Sequence, residues 1–215
     1  MRRFITIAVL VFVFSSAASA DLMTWNSNNG NNGFGFYDTL KIFSTTSPYS
    51  GYTLRAGELD VTYGGVSYMG YCVDIMQSLR DTNVTELVPS SDPFRKAAYL
   101  YETQHNNVTG NTDAAALQVA IWEIINEDYG AYGYDVTNST SNFYITNNTN
   151  VSLAANSLLN GLTVPIGYSP GGSTQILASD YAQDIMIQRD YAVPEPATVM
   201  LLGLGGLFLM KRQKA

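Results

Sequence analysis

The chain has 215 residues, a formal net charge of −7 and one cysteine, Cys72, so it has no second cysteine for an intrachain disulfide. Between residues 21 and 190 stand six basic residues (Lys41, Arg55, Arg80, Arg95, Lys96 and Arg189) against 17 acidic ones, a net charge of −11. A field of that sign argues against a nucleic-acid or anionic-lipid partner. Sparse charge with abundant Asn, Thr, Ser, Gly and Tyr suits an exported, β-rich surface protein.

The N-terminus reads as an export signal over residues 1–20. Arg2 and Arg3 supply the charged start, residues 4–14 are almost wholly apolar, and Ala18-Ser19-Ala20 offers a small-residue cleavage site before Asp21. The apolar run is too short to span a bilayer as a helix. Residues 21–190 then form a stretch of single-domain length.

Residues 26–35 are Asn/Gly-rich and read as a loop that Trp25 and Phe34 are placed to pin. Strand character follows over 36–44, 52–63 and 66–76, with Gly64-Gly65 as a two-residue hairpin signal. Alternation puts Tyr68, Gly70, Cys72 and Asp74 on one face of the second hairpin strand, and Met69, Tyr71, Val73 and Ile75 on the other. Ser91-Asp92-Pro93 marks a helix start with an N1 proline, and the helix runs over 94–104. A second helix is expected over 114–128, started at Thr112-Asp113 and stopped by Gly130. Residues 131–150 read as loop or edge strand, 151–159 as a short helix, and 173–189 as one or two strands with Ile176, Ala178, Ile185 and Ile187 inward. The order predicts an α+β fold, a β-sandwich or barrel-like domain with an inserted helical part.

The C-terminus, residues 191–215, carries Val193-Pro194-Glu195-Pro196, an apolar stretch over 197–210 and the basic end Lys211-Arg212-Gln213-Lys214. As a helix the stretch reaches ~21 Å, short of the ~30 Å hydrocarbon core. The basic tail favours the cytoplasmic side, which predicts transient holding at the inner membrane. This order of features resembles the PEP-CTERM sorting signal of Gram-negative bacteria. The resemblance implies processing by an exosortase near Pro194-Glu195-Pro196, and delivery to the cell surface or extracellular matrix.

An unpaired cysteine in an exported protein is a buried thiol, an intermolecular disulfide, a nucleophile or a crosslink to another residue type. Gln118, on the expected second helix, is the acyl partner that favours the last option. A thioester forms when the Cys72 sulfur attacks the Gln118 side-chain carbonyl and ammonia leaves; strand and helix hold such a pair better than loops. Trp122 lies one helical turn beyond Gln118, and Trp122 or Tyr71 would wall the bond against water. Asp74 and Glu123 are candidates for proton transfer, each equally readable as a solvated acid.

Tyr71-Cys72-Val73 and Gln118-Val119-Ala120-Ile121-Trp122 resemble the paired motifs of the thioester domain of bacterial surface adhesins. Leu117 stands where that family usually has threonine. The resemblance implies a non-enzymatic covalent binding module with a Cys72–Gln118 thioester, Ala120 and Trp122 lying within the glutamine motif. Its partner would be an amine, or a hydroxyl, on a protein or polysaccharide matrix. Two other readings remain open. One is a passive structural protein of the extracellular polymer matrix with Cys72 buried. The other is a cysteine hydrolase using Cys72 and His105, the single histidine, although Cys72 lacks the helix-start setting that lowers a thiol's pKa. No metal cluster, phosphate-binding glycine loop or serine triad is legible, so no cofactor is expected.

Overall fold

The computed structural model describes residues 21–26, 33–127, 133–170 and 173–189. The export signal, the sorting signal and the expected stop at Gly130 lie outside the described residues. Eight strands, β1 (Asp21–Trp25), β2 (Phe34–Ser44), β3 (Thr53–Tyr63), β4 (Val66–Cys72), β5 (Thr82–Leu87), β6 (Phe143–Thr146), β7 (Thr174–Ala178) and β8 (Ile185–Gln188), join in the order β1-β5-β7-β8-β4-β3-β2-β6. β1 also pairs with β3, which closes a six-stranded antiparallel barrel of β1, β5, β7, β8, β4 and β3. β2 and β6 extend the sheet beyond it.

Closure depends on β3 being long enough to serve two neighbours on one edge. Val61–Tyr63 pair with β1, whereas Thr53 through Leu59 pair with β2. The register with β2 slips between Phe34 and Tyr37, and the backbone turns at Gly57, whose φ is +148°. A Cβ on Gly57 would lie 2.3 Å from the Phe36 carbonyl oxygen, so only glycine fits this bend. The Phe36 N–H donates to Glu58 Oε2 at 3.0 Å, so the slip leaves it a partner.

Gly64 and Gly65 have φ values of +58° and +78°, the two left-handed positions that a tight hairpin between β3 and β4 requires. β4 ends at Cys72 rather than running to residue 76. There Val73 N–H still donates to the Asp184 carbonyl at 3.0 Å, but Asp74 Oδ1 accepts from Met76 N–H and turns the chain.

Among the described residues three α-helices, α1 (Asp92–Gln104), α2 (Asn111–Asn126) and α3 (Thr149–Asn160), cover the sheet. α1 follows Ser91 with Pro93 in its first turn; Asp92 pairs with Arg95 at 2.7 Å and Lys96 at 2.6 Å. α2 begins earlier than the sequence suggested and ends at Asn126, because Glu127 is extended and its carboxylate accepts the N–H groups of Asn142 and Phe143. Every residue from Ala114 to Ile124 is buried, so α2 is a central helix packed on β2, β3, α1 and α3. Leu117, Ile121 and Ile124 each contribute roughly 1.5–3 kcal/mol of burial.

Residues 143–146 form the edge strand next to β2, yet Phe143 is fully buried and belongs to the core. On β7 and β8, Ile176, Ile185 and Ile187 are buried as expected, Ala178 only partly. Leu177 and Met186 are buried too, so both faces of these strands are covered.

Candidate functional site at the end of β4

The antiparallel register of β3 and β4 runs from Tyr63↔Val66 to Leu59↔Gly70. Continued by two residues it would set Gly57 opposite Cys72. The bend at Gly57 takes β3 away first, and the main-chain groups of Cys72 facing it need another partner. Gln118 supplies it. Its Oε1 accepts from the Cys72 N–H at 2.9 Å, and its Nε2 donates to the Cys72 carbonyl oxygen at 2.7 Å. A carboxamide 46 residues downstream thus takes the place of a neighbouring strand's peptide. Gln118 is 1% exposed, so this buried amide has both its donor and acceptor sides used, as burial demands.

The Cys72 Sγ donates to Gln183 Oε1 at 2.9 Å. Gln183 lies on the turn between β7 and β8, which is tied to the segment after β4 by Gln183 N–H to Ser78 O and Gln77 Nε2 to Ser179 O. Burial pushes the thiol well above the usual cysteine range, and the nearby Asp74 and Asp184 carboxylates push the same way. Both acids are themselves raised by burial. Cys72 is therefore a neutral thiol rather than a resting thiolate.

A cleft of about 390 Å³ opens over Cys72 and Gln118. Trp25, Phe34, Tyr49 and Trp122 give it aromatic walls, and Arg55, Gln77 and Gln183 add polar groups. Trp25 and Phe34 meet edge-on at 6.0 Å. Gly33, at φ +79°, sits so close beneath the Trp25 indole that a Cβ would overlap its ring.

Of the side chains singled out from sequence, the fold brings Cys72, Gln118 and Trp122 together. Ala120 is buried on α2 and does not line the cleft. Tyr71 points to the opposite face of β4, where its ring meets Tyr101 of α1 at 5.7 Å. It walls the α1 side, not the cleft. His105 belongs to the same side: its ring lies 4.8 Å from that of Tyr101, and Nδ1 is 2.8 Å from the Tyr101 carbonyl oxygen. The sulfur's hydrogen-bond partner is Gln183, not His105. Glu123 is fully buried; its Oε1 accepts from Asp135 N–H at 2.8 Å, which ties α2 to the loop before β6.

Gln183 was not legible in the sequence. It stands on a turn without periodic pattern, and only the pairing of β4 with β8 carries it to the sulfur.

Fold and site together define an α+β barrel domain with a buried cysteine docked against a glutamine carboxamide. Residues 192–214 match the PEP-CTERM protein-sorting motif, so this is an exported protein, sorted by exosortase through a transient C-terminal membrane anchor. Neither a curated protein nor a solved structure matches the chain. Among the described residues, no helix is long and apolar enough to cross a membrane, and the apolar stretch 197–210 lies outside them.

Proposed function

We propose that the domain is a covalent binding module, in which Cys72 and Gln118 form an internal thioester that acylates an amine on a surface or matrix partner. The observation that carries this reading is the docking of the Gln118 carboxamide onto the main chain of Cys72, the residue whose sulfur would attack it. The Cys72 N–H is a fixed donor to Oε1, the oxygen on which negative charge develops during attack. The S–C bond forms, the C–N bond breaks, and the thiol proton leaves on ammonia. Gln183 holds the sulfur's proton in the resting state and orients Sγ. The low exposure of Cys72 and Gln118 and the aromatic walls of the cleft slow the approach of water to the acyl carbon.

A passive structural domain is the second reading, and one observation favours it. The carboxamide is hydrogen-bonded at both Oε1 and Nε2 without any bond to sulfur, so the same contacts also serve as a strand cap. Thiol titration of freshly purified, denatured domain separates the two. The thioester reading expects no alkylatable thiol in the wild type and one in Gln118→Ala; a titratable thiol in both supports the structural reading.

A further inference from the structure

Strand register gives the barrel two unlike ends. β3 and β4 are joined at Gly64-Gly65, where Tyr63 pairs with Val66. Met23 of β1 pairs with Tyr63, so Asp21 reaches past the level of this hairpin. β8 pairs Ile185 with Cys72 and Met186 with Tyr71, and so runs from the Cys72 end of β4 toward its Val66 end. Arg189 follows it there, with its guanidinium 5.2 Å from the Tyr63 ring. Residues 21 and 189, the first and last described, therefore both stand at the hairpin end, whereas Trp25, Cys72 and the cleft stand at the other.

The hairpin end also carries aliphatic side chains in solvent. Leu22 lies beside Asp21 on β1, Val66 opens β4, and β5 passes Asp21 at Val84 to end at Leu87, with Val88 next. Each of the four is 49–57% exposed. Grouped exposed apolar side chains mark a surface that something covers, and the chain itself brings the cover close. The sorting motif starts at residue 192 and its apolar stretch at residue 197. The residues 190–196 between Arg189 and that stretch reach at most roughly 25 Å, at ~3.6 Å each. So short a tether keeps this end beside the bilayer at an effective concentration on the order of millimolar. Arg189 pairs with Glu86 at 2.5 Å, which offsets charge where the chain leaves the barrel, and Asp21 is a further acid at this end. The domain's net charge of −11 favours lipid without a negative surface, so the tether and the apolar side chains bring the two together, not charge.

We propose that, while the sorting segment anchors the chain, the hairpin end rests on the bilayer through Leu22, Val66, Leu87 and Val88, and the cleft over Cys72 and Gln118 points away from it. The partner of the cleft is then met on the side facing away from the membrane. This orientation holds whether or not Cys72 and Gln118 are joined.

The test is tryptophan fluorescence of the chain, sorting segment intact, in phosphatidylcholine vesicles with plain or brominated acyl chains, bromine being a contact quencher. The chain has two tryptophans, Trp25 and Trp122, and both line the cleft. Flotation with the vesicles first establishes that the chain is anchored. The wild type is expected to emit equally in the two lipids. Val66→Trp and Leu87→Trp are each expected to add emission that is lost in brominated lipid. Met76→Trp, 48% exposed at the cleft end, should add emission that persists. Two positions at the hairpin end are used so that one variant with an altered circular dichroism spectrum leaves the other to decide. Quenching of the native tryptophans or of Met76→Trp overturns the orientation. Unquenched Val66→Trp and Leu87→Trp in a chain that floats show a domain hanging free of the lipid and overturn the contact. A chain that does not float lacks the tether on which the contact depends and overturns it as well.

Discussion

The side chain of Gln118 grips both main-chain groups of Cys72, at 2.9 and 2.7 Å, in the place where β3 would have continued its pairing. One bend in β3 therefore decides whether a glutamine on the central helix can reach the end of β4. Fold and candidate chemistry meet at that contact.

The first prediction concerns the crosslink as a source of stability. A bond between residues 46 positions apart removes loop entropy from the unfolded chain worth about 4 kcal/mol. Cys72→Ala should lose about that much in denaturant unfolding if the bond is formed. Deleting a mere buried thiol costs only about 1 kcal/mol, so the measured loss separates the two states.

Gly57→Ala tests the bend. The substitution places a Cβ 2.3 Å from the Phe36 carbonyl and forces an L-residue to φ +148°. A destabilisation of at least ~2 kcal/mol is expected, the scale of combined strain and overpacking. Any domain that still folds should show more free Cys72 thiol than the wild type, as Gln118 loses its place.

Tyr71→Phe should be neutral or stabilising by up to ~1 kcal/mol. The Tyr71 hydroxyl is buried without a hydrogen-bond partner, and removing such a group relieves its desolvation cost. Because Tyr71 faces α1, the variant should keep the wild-type thiol titration. A large destabilisation would show that the hydroxyl has a partner in solution.

The pH dependence follows from Glu123. Burial pushes its carboxyl up to about 8. Its folded pKa is thus raised above the unfolded one, so its favourable contribution is full below the ordinary carboxylate range and is lost as pH rises toward 8. The raised Asp74 and Asp184 act in the same direction. Denaturation midpoints measured from pH 5 to pH 8.5 should fall for the wild type, and fall less for Glu123→Gln. A slope unchanged by the substitution would remove Glu123 as its source.

The hairpin at Gly64-Gly65, a helix start at Ser91-Asp92-Pro93 and the existence of α2, though not its bounds, were legible because glycine pairs, a first-turn proline and helical spacing act locally. β1 and β5 were not. Each buries one hydrophobic side chain completely, Met23 and Val84, so neither shows the alternation that marks a strand. Barrel closure depends on just these two, which left sandwich and barrel undecided. At the site, Cys72, Gln118 and Trp122 were found as motifs. The bend that frees the Cys72 main chain, and Gln183 at its sulfur, depend on pairings between distant strands that no local pattern records. The wall expected from Tyr71 failed for a simple reason: neighbours on a strand face opposite ways.

The intact mass of the mature domain, freshly purified and kept from added amines, tests the central claim most directly. The account predicts a wild type lighter than its sequence by one ammonia, with Cys72→Ala and Gln118→Ala at full mass. A wild type at full sequence mass with an alkylatable Cys72 would contradict it.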